Sequence, residues 1–233
     1  MKKLAIVQPY LFPYIGYFQL INAVDKFVVY DDVAFIKQGW INRNNILVNG
    51  SPFLFTIPIR NISSYSLIRE TEVSYDIDWK SKLFKTIQES YRKAPYFKTG
   101  FQIIENTFAN DEQYISKIAI KSILEIVKYL GLQTDLKESS TSYLNSELSS
   151  QERVIDICKK ELASQYINPI GGKELYSKDV FRSQGIQLNF IKTQPVKYKQ
   201  FKNSFISSLS IIDILMFNSP AEINTMLQAY ELL

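Results

Sequence analysis

Gln8-Pro9-Tyr10-Leu11-Phe12-Pro13-Tyr14-Ile15-Gly16-Tyr17-Phe18-Gln19 joins a buried strand to a helix, and its reading decides the fold. Upstream, residues 4–7 form a short apolar run of strand length. Downstream, Ile15, Phe18, Leu20, Ile21 and Val24 recur at helical spacing, so strand gives way to helix near Tyr14. Each proline fixes its own φ and disfavours helix in the residue before it. That predicts extended backbone at Gln8 and Phe12 and a helix that begins only after Pro13. Five of the nine residues from 10 to 18 are aromatic, and Gly16 falls in the first helical turn, where a missing Cβ opens the backbone to a ligand. Packing explains this stretch poorly; a binding site explains it better.

Outward from it, residues 27–30 read as a second buried strand ending at Asp31-Asp32. Strand, helix and strand within thirty residues make a βαβ unit, and ligands gather at the carboxyl ends of such strands. Residues 45–48 and 53–57 flank Asn49-Gly50, a hairpin turn signal, with Pro52 and Pro58 marking edge strands. Residues 61–75 are polar loop, from which Arg60 and Arg69 can reach a phosphate or remain solvated. Residues 78–130 read as helices, N-capped by Asp78, broken at Ala94-Pro95 and Asn110-Asp111 and ended by Gly131. Their lysines lie mostly off the apolar face and belong to solvent.

Alternation then returns. Residues 134–138 are a strand, Ser149-Ser150-Gln151-Glu152 has capping-box spacing before a helix at Val154, and residues 166–168 are a short strand. Gly171-Gly172-Lys173 follows, a backbone arrangement able to offer N–H groups and a cation to an anion. A helix ending at Gly185 and a strand at 187–192 complete a second βαβ unit. The last forty residues read as packing helices. Within them Asp213 either compensates a helix dipole or partners a buried Lys or Arg. The expected fold is α/β over residues 1–233 as a single domain, with a mainly parallel, Rossmann-like sheet and a helical insertion at 76–132.

Composition narrows the chemistry. The chain has 233 residues and no histidine, which removes imidazole bases and histidine-ligated metals. Its single cysteine, Cys158, lies in an amphipathic helical pattern and reads as a buried small residue. A net charge of +4 is mild and dispersed, suiting a phosphorylated small substrate rather than nucleic acid. Neither a membrane span nor a secretory signal is legible, so the expected location is cytoplasmic.

The segments at 8–19, Asp31-Asp32-Val33-Ala34-Phe35-Ile36-Lys37-Gln38-Gly39-Trp40-Ile41-Asn42-Arg43, 166–176 and 209–218 together resemble the WbqC-like family of bacterial proteins. That resemblance implies O-antigen or other surface-polysaccharide biosynthesis, with transfer of an amino acid, glycine, to an amino sugar. A more distant likeness is to the nucleotidyltransferase-like Rossmann group. Tyr14-Ile15-Gly16-Tyr17 keeps the glycine of its His-x-Gly-His motif but has tyrosines for the histidines. Positive charge for acyl-adenylate chemistry would then come from Lys37, Arg43 or Lys173. ATP and Mg²⁺ are both possible cofactors.

The resulting expectation is an aminoacyl or acyl transferase acting on a nucleotide-linked amino sugar. Gln8, Tyr10, Tyr14, Gly16 and Tyr17 would hold sugar or nucleotide, Asn42, Arg43, Gly171, Gly172 and Lys173 would complete the binding surface, and Asp31, Asp32 and Lys37 would carry the catalysis. The other readings are a glycosyltransferase in which the aspartates hold Mg²⁺, and a non-catalytic sugar- or nucleotide-binding protein. A strand-end turn would equally account for Asp31-Asp32, and an exposed loop for Lys37 and Arg43.

Overall fold

In the computed structural model, which describes residues 1–60, 63, 65–202 and 204–233, the stretch at 8–14 links strand β1 (Lys3–Val7) to helix α1 (Ile15–Ala23). Strand β2 (Lys26–Val29) lies parallel to β1, with Leu4 opposite Lys26 and Val7 opposite Val29. A hairpin of β3 (Arg43–Val48) and β4 (Ser51–Thr56) comes next, and both turn residues, Asn49 and Gly50, have positive φ. This is the primed-turn geometry that Asn-Gly favours. Asn61, Ile62 and Ser64 of the expected 61–75 loop lie outside the described residues. Ile68–Glu70 forms a single 3-10 turn.

Helices α2 (Trp79–Tyr91), α3 (Phe97–Thr107) and α4 (Ile115–Leu130) occupy the expected helical region. The Asp78 carboxylate accepts from Ser81 N at 3.1 Å, and Gly131 closes α4 in the left-handed conformation at φ 66°. The alternation resumes with β5 (Asp135–Lys137), α5 (Ser150–Lys160), β6 (Gln165–Pro169), α6 (Lys178–Ser183) and β7 (Gln187–Thr193). Helices α7 (Ile211–Phe217) and α8 (Pro220–Met226) lead to β8 (Tyr230–Leu232).

The main sheet has the order β5-β2-β1-β6-β7-β8, parallel except for β8. Strand alternation divides its side chains between two cores. Ala5, Phe27, Val29, Ile167 and Ile191 pack with α1, α3, α4, α7 and α8, while Leu4, Ile6, Val28, Tyr166, Leu188 and Phe190 pack with α5 and α6. No described helix is long and apolar enough to cross a membrane.

Three local expectations are corrected. Phe12 is not extended but left-handed, at φ 41°. Its ring is fully buried against Phe108, and Ser122, Asn44 and Ser210 bind its backbone, so tertiary contacts override the bias of a residue before proline. The Ser149 side chain caps nothing, because Ser150 enters α5 with φ 48° and turns the helix start away from it. The C-terminal region contains a strand as well as helices: β8 is too short to show a period, and it is defined by pairing with β7.

Candidate functional site

The 8–14 loop is held in place from several directions. Asn44 Nδ2 donates to the Leu11 carbonyl at 3.0 Å and to that of Phe12 at 2.8 Å. Ser122 Oγ accepts from Phe12 N, and Ile211 N donates to the Pro13 carbonyl. Beneath the loop, the buried Tyr17 hydroxyl donates to the Gln8 carbonyl at 3.0 Å, and its ring lies 5.8 Å from that of Tyr10. Tyr17 is thus a post under the loop. Burial raises its pKa well above the usual phenol value, and burial followed by nearby Tyr14 raises that of Tyr10, so both are neutral donors.

Above this loop are two adjoining cavities. The smaller, about 250 Å³, is lined by Tyr10, Pro13, Tyr14, Trp40, Asn44 and Ser208. The larger, about 500 Å³, lies beyond the carboxyl end of β7, between the start of α1 and residues 193–198 and 205–209. Tyr14 and Ser208 line both. Flat aromatic walls suit the apolar face of a sugar or a nucleobase, and few polar groups are needed to orient such a ligand. The Tyr14 ring lies over the position where a Cβ on Gly16 would be. The missing side chain therefore makes room for a chamber wall rather than for the ligand.

The loop bearing Trp40 is built by Arg43. Its Nε donates to the Gly39 carbonyl at 3.0 Å and its Nη2 to that of Gln38, where φ is 66°. The guanidinium is thereby occupied with carbonyls, while Lys37 on the same loop is exposed. Asn42 is buried and extends the hairpin, donating to the Ile57 carbonyl at 2.9 Å.

Asp31 and Asp32 sit at the end of β2, where both have internal partners. Asp31 Oδ1 accepts from Ser139 Oγ at 2.8 Å and Ser140 N at 3.2 Å. Asp32 Oδ2 meets Arg153 Nη2 at 2.5 Å, both side chains being buried, and its Oδ1 accepts from Ser140 Oγ. Both oxygens of Asp32 are thus engaged, and of this pair only Asp31 Oδ2 is left to offer a cation such as Mg²⁺. Among the described residues no group of three or more Cys, Asp or Glu is gathered to hold a metal.

Gln8 Oε1 is buried without a partner among the described residues. Gly171 and Lys173 are exposed at the end of β6, and the position of a Cβ on Gly172 is taken by the Asn168 amide. Residues other than these line the two chambers. Arg60 and Arg69 pair with Glu72 and Glu70. Burial pushes the Cys158 thiol up to about 12, which makes it inert at neutral pH.

Trp40, Asn44, Lys197, Tyr198 and Ser208 were not expected as site residues, although each lines a chamber. Trp40 carried a signal, since it lies on the 31–43 segment already singled out, and Asn44 is the residue directly after that segment. The others lie almost two hundred positions from Tyr14 in the chain, beyond any local pattern. Asp213, fully buried in the first turn of α7, meets neither Lys nor Arg. It accepts from Tyr198 Oη at 2.6 Å, Tyr91 Oη at 2.8 Å and Gln200 Nε2 at 2.7 Å.

The family model described as the WbqC-like protein family matches residues 8–225. The chain is similar to Uncharacterized protein Rv1507c of Mycobacterium tuberculosis (strain ATCC 25618 / H37Rv), with 29% identity over 225 residues, covering 95% of this chain and 96% of that protein. No solved structure matches the chain.

Proposed function

This chain belongs to the WbqC-like protein family, and from that premise we propose that it transfers an acyl or aminoacyl group to the amine of a nucleotide-linked amino sugar. The setting is bacterial surface-polysaccharide biosynthesis, O-antigen included, and glycine is the leading acyl group. The observation that carries this reading is the pair of cavities meeting at Tyr14 and Ser208. Two reactants need two compartments with a common boundary, because holding them in contact supplies much of the rate. In this reading the sugar stacks among Tyr10, Tyr14 and Trp40 with its amine projecting past the boundary into the larger chamber, where it meets the activated acyl donor. The amine nitrogen bonds to the acyl carbon, the bond to the leaving group breaks with its electron pair, and the departing group takes the proton that the amine gives up. Exposed Lys37, on the loop of Trp40, faces the diphosphate; Asp31, Asp32 and Arg43 hold the loops that shape the site.

The test is calorimetric titration with UDP-glucosamine. Trp40→Ala removes one stacking wall and should raise Kd about tenfold, a loss of roughly 1.4 kcal/mol. An affinity unchanged in that variant would remove the smaller chamber from the sugar site. A second reading, a non-catalytic sugar- or nucleotide-binding protein, draws support from the internal engagement of Asp31 and Asp32. Tight binding of the nucleotide-sugar with no acyl transfer from any activated glycine would favour it.

A further inference from the structure

The larger chamber has a phenol on its wall and a carboxylate behind that phenol. Tyr198 lines the cavity, and its hydroxyl donates to Asp213 Oδ2 at 2.6 Å. Asp213 is wholly buried, and Tyr198, whose hydroxyl also accepts from Gln200 Nε2 at 3.3 Å, links it to the chamber lining. The groups facing this carboxylate are Tyr91 from α2, and Tyr198 and Gln200 from the segment that follows β7. All three are neutral. A buried carboxylate with hydrogen bonds but no cation has a strong affinity for a proton, because protonation removes the charge that burial disfavours. Burial indeed raises the pKa of Asp213 despite the opposing bonds from Tyr198, Tyr91 and Gln200. A purely structural acceptor could be an amide or a carbonyl without this cost.

We propose that Tyr198 and Asp213 form a proton relay for the larger chamber, Tyr198 as the catalytic residue that touches the amine and Asp213 as the positioning residue that stores the proton. The inference rests on the reading of the acceptor as an amine. At neutral pH an amino sugar arrives largely as its ammonium form, which has no lone pair for attack. Its N–H passes a proton to Tyr198 Oη while Tyr198 passes its own to Asp213 Oδ2. The products are a free amine, an intact phenol and a carboxylic acid, so charge and protons balance. Enclosure beside apolar walls disfavours the ammonium as it disfavours the carboxylate, and the transfer neutralises both. Tyr198 need never become a phenolate, which its burial opposes.

The experiment is infrared difference spectroscopy at neutral pH. Wild-type protein saturated with UDP-glucosamine is compared with protein saturated with UDP-N-acetylglucosamine, whose nitrogen does not titrate, and calorimetry establishes saturation. The expected result is a protonated-carboxyl C=O band with the free amine only. That band should be lost in Asp213→Asn and in Tyr198→Phe while both variants still bind. Tyr198→Phe keeps the ring and its packing on Phe205 and Phe217, so it tests the relay even if Asp213→Asn misfolds. A wild type that binds both ligands without the band overturns the relay and leaves the acceptor reading standing. A band that persists in either variant also overturns it, and loss of binding in both variants marks a packing role instead. Failure of wild type to bind UDP-glucosamine overturns the acceptor reading itself, and the relay with it.

Discussion

Asp213 is buried completely, and its three hydrogen-bond partners are all neutral, which gives its titration a definite sign. Its pKa is raised by burial, so the folded protein keeps this proton at a pH where the unfolded chain has released it. The associated stability is full below the unfolded carboxylate value of about 3.9 and is lost as pH rises through the folded value. Asp213→Asn does not titrate. The Tm of wild type minus that of Asp213→Asn should therefore fall as pH rises across this window and then level off. A difference that is flat throughout, or that grows, would mean that Asp213 is not held in its acid form by folding. Sequence reasoning found this residue conspicuous and offered two readings: its place in the first turn of α7 agrees with dipole compensation, whereas a Lys or Arg partner is replaced by two tyrosines and a glutamine. Asp31 and Asp32 are similar in that their position at a strand end was legible. Their partners are not, because Ser139, Ser140 and Arg153 are more than a hundred residues away.

Helices α5 and α8 show where local pattern suffices and where it does not. Ser149-Ser150-Gln151-Glu152 and Ser219-Pro220-Ala221-Glu222 have the same capping-box spacing. Only the second forms the box, with Ser219 N donating to Glu222 Oε2 at 2.7 Å and Glu222 N to Ser219 Oγ at 3.3 Å. Pro220 fixes φ at the first helical position, whereas Ser150 has no such constraint and enters left-handed. Cap spacing is thus a necessary signal whose outcome the next residue decides. Ser219→Ala should destabilise the protein by about 1 kcal/mol, seen as a lower denaturant midpoint with an unchanged m-value. The parallel change Ser149→Ala removes no side-chain cap bond and should leave the midpoint nearly where it is. Equal losses in the two variants would contradict the difference between the two caps.

Across the molecule, local pattern revealed the helices and every strand but β8, yet not the order in which the strands lie. The sequence places β5 and β6 far from the first βαβ unit; the sheet sets them beside β2 and β1. Apolar strands are compatible with many neighbours, so the order rests on contacts between remote segments. The Asp32–Arg153 pair is one such contact. It joins the end of β2 to α5 on the second face of the sheet, and Ser140, following β5, bonds to the same carboxylate. Arg153 also donates to Asn145 at 3.1 Å and lies 4.9 Å from the centre of the Tyr30 ring. Removing one member leaves the other charge buried without compensation, whereas replacing both by apolar groups does not. Arg153→Leu should cost about 3–5 kcal/mol in denaturant unfolding, and adding Asp32→Leu should recover part of that loss. If the double variant is instead destabilised by the sum of the two single changes, the ion pair has no role as a coupled unit. Asp32 and Arg153 would then stabilise the β2–α5 junction through their separate bonds to Ser140 and Asn145.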